Sequence, residues 1–438
     1  MLDRLYEDND RNTDKTVNIF RILLLTNRDS DNVGDQVIEA CDISLVSCVM
    51  KNLGFKENEY LIDSRAAGII TKKYLQHREE KLLRNAIGVV KNSDLIIFGG
   101  APLFNYDHQV FYERTAITLE IAEKFSIPVL FSAIGIEGYD ENNPKCQRLK
   151  KTLNFSCVKQ ITTRDDIDSL RRFIENQSIA YDKVADPAVF SSKVFEKYAS
   201  NTQRKKIGIF SFRSNGFTDN NIDFSSKEQA RFWVNVITQL KEKKYDYEFL
   251  TSGHFSDEAF LDLLIRKYNV RLSKCTFNMN TPEKLAGRIS SFDGILACRL
   301  HPSIIAYSFG VPSIGINWNP KIPWFYETIG YKNRVFNVEN LDVNSVVSEL
   351  EKAIQERVCQ DEEYLMSVYR SLFKGIKGVV KAKEEINAYN YIELLDALPI
   401  FNGTTDEEYE QKLTRKMRRI YESYNKISVS PKKNKKGI

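Results

Sequence analysis

From residue 18 to residue 317, apolar runs of strand length alternate with amphipathic stretches of helical length. This alternation constrains the fold more than any other feature. Residues 18–25 read as a strand, 33–53 as an amphipathic helix and 60–63 as a short strand. Residues 72–90 read as one helix, and 94–98 as a buried strand that ends at Gly99-Gly100. A helix over 111–125, strands over 128–136 and 158–162, and a helix over 167–174 complete the series. Strands separated by single helices at this spacing predict a parallel sheet covered on both faces.

The alternation pauses at 191–206, which is polar and rich in Ser and Lys and reads as a linker. It then resumes with strands over 207–212 and 247–250, a helix over 257–268 and a strand over 270–272. A helix over 227–243 lies between the first two strands, and another over 282–289 follows. Next come a strand over 292–297, a helix over 303–309 and a strand over 313–317. The halves read as two copies of one α/β layout. The expected divisions are an extension (1–17), a first Rossmann-like domain (18–195) and a second (206–335). A helical C-terminal region (336–430), its last helix packing across the domain boundary, and a basic disordered tail (431–438) complete the chain.

Charge narrows the partners. Lys and Arg number 63 against 59 Asp and Glu, a net +4 that is too balanced for a nucleic-acid binder. The basic tail from Pro431 to Lys436 is read either as a solubilising end or as a contact for an anionic membrane surface. No apolar run is long enough to span a bilayer, and the first residues are polar and acidic rather than leader-like. The expectation is a cytoplasmic location, with the inner face of the membrane as a peripheral site. Seven scattered cysteines, without C-x-x-C or a Cys/His cluster, predict free thiols and no metal site.

Polar residues follow the strands in both halves. Asn32-Val33-Gly34-Asp35 follows the first strand, Gly99-Gly100 the 94–98 strand and Arg164 the 158–162 strand. Arg213, His254, Arg299 and His301 do the same in the second half. Ligands of open α/β sheets bind at the carboxyl ends of the strands, and a helix start favours an anion. Two sheets facing each other through those edges would gather these residues in one cleft. Plainer readings stand beside this one. The glycines fit tight turns, Asp35 fits a helix cap, and Arg164 fits a local ion pair with Asp165 or Asp166. His254 fits a turn. The D-x-D sequences at 29–31 and 166–168 read as coincidence. Arg299 and His301, two residues apart at a strand-to-helix junction, are the hardest to explain structurally.

These residues occur in an ordered pattern. Asn32-Val33-Gly34-Asp35, Gly99-Gly100, Arg164-Asp165, Asp186-Pro187, Arg213, and Arg299-Leu300-His301 with Gly310-Val311-Pro312 resemble the polysaccharide pyruvyl transferase family, from about Arg21 to about Gly330. The resemblance implies a GT-B-like fold of two facing Rossmann-like domains. It implies transfer of the enolpyruvyl carbons of phosphoenolpyruvate to a sugar, usually as a ketal bridging two hydroxyls, during capsule, exopolysaccharide or cell-wall synthesis. It also implies that Arg213, Arg299, Leu300 (through its backbone) and His301 hold the donor. Arg164 and Lys321 are further donor ligands under the same resemblance.

The chemistry agrees with these implications. A donor carrying a phosphate and a carboxylate calls for several cations, with arginine preferred for bidentate contact. Imidazole is the usual group titrating near neutrality, so His301 is nominated as donor ligand and acid/base. Asp35 or His254 would be its partner on the acceptor side. Asn32, Gly34, Asp35, Gly99 and Gly100 are expected to line the acceptor, and no cofactor is called for beyond the donor substrate. The acceptor is a sugar, free or lipid-linked. Two rival readings are a GT-B-type glycosyltransferase using a sugar nucleotide and an inactive scaffold of a polymer-assembly complex.

Overall fold

The computed structural model describes residues 19–429 apart from 101, 107–109, 201–204, 214 and 384. The extension (1–17), the basic tail (431–438) and the middle of the expected linker lie outside the described residues.

The first sheet holds six parallel strands in the order β2-β1-β3-β4-β5-β6. They are β1 (Phe20–Thr26), β2 (Tyr60–Ala66), β3 (Leu95–Gly99), β4 (Val129–Ile134), β5 (Val158–Thr163) and β6 (Ala180–Lys183). The connecting helices are α1 (Val33–Asn52), α2 (Lys72–His77), α3 (Arg84–Lys91), α4 (Phe111–Lys124), α5 (Pro144–Leu153) and α6 (Ile167–Phe173). Two of these differ from the sequence expectation. The single helix expected over 72–90 is broken, because Arg78 turns left-handed at φ 54° and its N–H closes back onto Tyr74. The periodicity missed α5, although Asn143 caps it and Pro144 sits at its first position, a recognised start signal. The edge strand β6, largely exposed, was also missed for want of an apolar run.

The second sheet runs β11-β10-β9-β7-β8, again all parallel. Its strands are β7 (Lys206–Phe210), β8 (Asp246–Leu250), β9 (Gly294–Ala297), β10 (Ser313–Ile316) and β11 (Val335–Phe336). Before it, α7 (Ser191–Val194) begins the stretch expected to be a linker. Helices α8 (Ser226–Glu242), α9 (Phe255–Tyr268), α10 (Pro282–Ile289), α11 (Leu300–Ser308) and α12 (Lys321–Thr328) join its strands. The strand expected over 270–272 is absent. Asn269 ends α9 in the left-handed region, Leu272 is exposed, and only Val270 has an apolar face to bury. Helix α11 starts at Leu300 rather than 303, with Arg299 as its cap, which places His301 in its first turn.

The C-terminal helices divide between the two halves. Helix α13 (Val343–Glu356) lies against α8 and the second sheet. Helix α14 (Glu362–Val380) returns to the first sheet, where Gln160 donates to the Ser371 backbone. After α15 (Tyr391–Ala397), α16 (Asp406–Val429) crosses both halves. Its Arg415 and Arg419 hold Asp29 and Asp31, while Lys416 reaches Glu258 and Asn280.

Helix α1 explains how the halves join. It is buried on nearly every side, its acids Asp35, Glu39 and Asp42 included, and lies between them. One hydrophobic core runs from Leu24 and Ile97 of the first sheet through Val37 and Ile38 to Leu285, Ile304 and Tyr307. Among the described residues no helix is long and apolar enough to cross a membrane. All seven cysteines are free, five of them buried, with Cys359 exposed.

Candidate active site

Each sheet has one point where strand order reverses: between β1 and β3 in the first, and between β7 and β9 in the second. The crevice beyond those carboxyl ends is the natural ligand site of such sheets. Asn27 and the 32–35 turn follow β1, and Gly99-Gly100 ends β3. Arg213 follows β7 and Arg299 follows β9. Both reversal points therefore open onto residues singled out in the sequence.

The halves meet at His301. Asn32 caps α1 and its side-chain oxygen accepts from the Gly34 N–H at 3.3 Å. The amide nitrogen of Asn32 is thus the atom that lies 3.0 Å from His301 Nδ1. Nδ1 must then accept, and the ring proton sits on Nε2. Nε2 is buried with no hydrogen-bond partner and lies 4.0 Å from Asp35 Oδ1. Gly34 makes this approach possible, since a Cβ there would lie 2.4 Å from Nδ1.

Burial pushes the Asp35 carboxyl up to about 6, against the opposing pull of Ser30, Arg164 and Asn27, whose amide donates to Oδ2 at 2.9 Å. The imidazoles move the other way. Burial, then Arg164, Lys321 and Arg299, hold His301 well below its ordinary value. Burial and the charges of Arg299, Arg213, Lys416 and Arg419 bring His254 down to about 3. Both rings are held neutral at physiological pH, while burial carries the Asp35 carboxyl toward neutrality.

A buried acidic cluster lies beneath. Arg164 is enclosed; Asp186 accepts from its guanidinium and Asp165 sits 3.8 Å away. Asp42 has neither carboxylate oxygen hydrogen-bonded, and burial with the Asp186 charge pushes its carboxyl well above the usual range. Gly99 and Gly100 pack directly on α1. A Cβ at Gly99 would lie 2.3 Å from Asp42 Oδ2, and one at Gly100, which is left-handed at φ 49°, would lie 2.1 Å from Ile38.

The cations expected to hold a donor carry carboxylate partners. Arg299 makes a two-pronged pair with fully buried Asp257, at 2.9 and 3.0 Å. Its guanidinium also lies 4.5 Å from the Phe212 ring centre and 5.9 Å from that of Trp318, and these two rings stack on each other. Arg213 reaches half-exposed Asp219 at 3.1 Å. Lys321 bonds Glu137 of the first half at 2.6 Å. Leu300 opens α11, half-buried.

The fold therefore brings Asn32, Gly34, Asp35 and His301 into direct contact. Arg213 and Arg299 lie over Phe212, and their charges act on His254. Arg164, Gly99 and Gly100 are interior. Sequence reasoning missed Asp257, Phe212, Trp318, Glu137 and the α16 cations. Of these, only the Arg415, Lys416 and Arg419 spacing carried a sequence signal, as one basic helix face. The D-x-D sequences are accounted for: Asp29 and Asp31 pair with α16, and Asp166 caps α6. Among the described residues, no group of three or more His, Cys, Asp or Glu side chains is placed to hold a metal.

Residues 5–320 match the family model described as polysaccharide pyruvyl transferase. No curated protein matches the chain. Among solved structures, a UDP-N-acetylglucosamine 2-epimerase from Methanocaldococcus jannaschii is similar at 13% identity and a TM-score of 0.50, over 83% of this chain and 99% of that one. A second structure of a UDP-N-acetylglucosamine 2-epimerase has 10% identity and a TM-score of 0.51, over 86% and 100%. At such identities the likeness shows the fold alone, two parallel-sheet α/β domains of the GT-B type.

Proposed function

The chain belongs to the polysaccharide pyruvyl transferase family, and from that premise we propose that it moves the enolpyruvyl group of phosphoenolpyruvate onto two hydroxyls of a sugar as a ketal, releasing phosphate. The observation that carries this reading is the meeting of Asp35 and His301 from opposite halves within the field of Lys321 and Arg299.

The reaction forms two C–O bonds at the central carbon of the donor and breaks the one to phosphate. The two hydroxyls release two protons. One becomes part of the new methyl group and the other leaves with phosphate, so no outside acid and no cofactor is needed. A shuttle for this must accept and give a proton near neutral pH, and Asp35 at about 6 meets that requirement. Neutral His301 offers its Nε2–H as a hydrogen-bond donor to the donor substrate, and Asn32 fixes its tautomer. Arg299, rigid against Asp257 and the Phe212–Trp318 stack, would present its guanidinium to the donor carboxylate or phosphate, and Arg213 and Lys321 would exchange their exposed partners for it.

The acceptor is read as a sugar of a cell-surface polymer. A lipid-linked form would bring the protein to a membrane. The exposed Met417, Tyr421 and Tyr424 of α16, one helical face preceding the basic tail, support that contact.

Phosphate release from phosphoenolpyruvate against a panel of glycans tests the function. Arg299→Ala should raise the KM for phosphoenolpyruvate by about 10-fold or more, the loss of a charge-assisted contact. Binding of sugar nucleotides but not phosphoenolpyruvate by the wild-type protein would replace this reading with glycosyl transfer.

A further inference from the structure

The arginines near the strand ends of both halves are answered by carboxylates: Arg28 by Glu39, Arg213 by Asp219, Arg299 by Asp257, Arg415 by Asp29 and Arg419 by Asp31. Arg114 is the exception. It stands in the first turn of α4, half-buried, and no carboxylate pairs with it among the described residues. Its Nε is buried with no hydrogen-bond partner. Burial alone pulls its guanidinium below the ordinary value, with no acid offsetting the cost. A desolvated, unpaired guanidinium is costly to keep unless something else neutralises it.

Its surroundings leave room for such a partner. The guanidinium lies over Gly68, where a Cβ would sit 2.8 Å from Nη1, so a side chain there would push the guanidinium aside. Together they line a cleft of ≈ 650 Å³ that also borders Lys72, Phe111, Asn27 and His254. The acids of this cleft, Asp29 and Asp31, are already taken by α16, and exposed Lys72 makes no ion pair among the described residues. The cleft therefore has two surplus positive charges on the wall belonging to the first half. The same cleft is lined by Asn27, which donates to Asp35.

We propose that Arg114 and Lys72 form an anion subsite for the acceptor, taking the phosphate or diphosphate of a phosphorylated sugar whose reacting hydroxyls point toward Asn27 and Asp35. The proposal rests on the pyruvyl-transfer reading in one respect, that the anion is assigned to the acceptor and not to the donor. Arginine supplies the bidentate fork and lysine a point charge, the pairing suited to a phosphate that must be gripped and oriented.

The test is calorimetric titration of the full chain with inorganic pyrophosphate in saturating phosphoenolpyruvate, for the wild type, Arg114→Gln, Arg114→Lys and Lys72→Gln. Arg114→Gln should weaken pyrophosphate by about 10-fold or more and leave phosphoenolpyruvate affinity within about twofold, while Arg114→Lys recovers part of the loss. The retained phosphoenolpyruvate affinity also reports that the variant is folded. Titrations with a sugar 1-phosphate, a nucleotide diphosphate sugar and a short-chain polyprenyl diphosphate sugar then tell a soluble source from a lipid one. Wild-type protein that ignores pyrophosphate, or Arg114→Gln that binds it normally, overturns the subsite. Equal loss of pyrophosphate and phosphoenolpyruvate overturns it in favour of a donor ligand. Failure of the transfer reading is separate, since the wild type would then not bind phosphoenolpyruvate while the pyrophosphate comparison, run without it, still reads the subsite.

Discussion

Asp35 and His301 face each other across 4.0 Å with their usual titrations exchanged. The carboxyl moves from 3.8 to about 6, while both imidazoles are driven down and stay neutral. The sign of the stability effect follows. A carboxyl whose folded pKa is raised favours the protonated fold, a contribution complete below pH 3.8 and lost as pH rises through about 6. Asp35→Asn removes that loss, so its stability relative to wild type should grow across this window by up to about 3 kcal/mol. Urea melts at pH 4 and pH 7.5 measure it, and an equal difference at both values would count against the assignment. For activity, the acid limb of kcat/KM should have an apparent pKa near 6 in wild type and disappear in Asp35→Asn. Imidazole NMR should find neither His254 nor His301 titrating between pH 5 and 8. At Gly34, a methyl group would displace the His301 ring and break its bond to Asn32. Gly34→Ala should therefore lower phosphate release by about 100-fold, a geometric loss at the reacting centre, beside a stability cost of about 1–3 kcal/mol from overpacking.

Two helices decide the site at the next scale. Helix α1 supplies Asn32, Gly34 and Asp35 from its first turn, and Asp42, two turns further on, meets Gly99. It was legible as a long helical run after the first strand, although the cap is Asn32 and not Asp35, which lies in the first turn. Helix α16 was legible as a charged helix packing across the domain boundary, but the residues it meets were not. Arg415 and Arg419 reach residues 386 and 388 positions away in the chain. The side chains of these pairs are a quarter to two-fifths exposed, so losing both should cost only about 1 kcal/mol and less at high salt. The sharper readout is local. In Arg415→Ala/Arg419→Ala, amide exchange should quicken along α16 and at 29–31 while the two sheets stay protected. Unchanged protection in α16 would mean that its apolar face, not these pairs, holds it down.

Across the whole molecule, the two domains share a core, and three of the contacts between their described residues stitch the cleft. These are Asn32 with His301, Glu137 with Lys321, and the Val33 N–H donating to the Ser252 carbonyl at 2.7 Å. Next to the last of these, Gly253 sits at φ 95°, and a Cβ there would lie 2.5 Å from the Asp31 carbonyl oxygen and 2.9 Å from that of Met279. Both obstacles are backbone, so neither can rotate away. Gly253→Ala should thus lower the melting temperature by several degrees and depress phosphate release, because the 29–35 loop must shift. Wild-type melting and turnover would show that the rim has slack.

The sequence determined the parallel α/β layout twice over, because strand and helix periods and their punctuation are local properties. It also placed Asn32, Asp35, Arg213, Arg299 and His301 at strand ends, where the fold puts ligands. Which of these meet was decided only by tertiary structure. Asn32 and His301 are 269 residues apart, and nothing local in either half encodes their contact. The charge states were settled the same way. Asp35 and the two histidines take their titrations from burial and from cations on other elements, and Asp257 is marked as the partner of Arg299 only by lying beside it in space. Arg114 shows the limit most plainly. That Arg114 meets no carboxylate among the described residues is a property of its surroundings, and those exist only once the chain has folded.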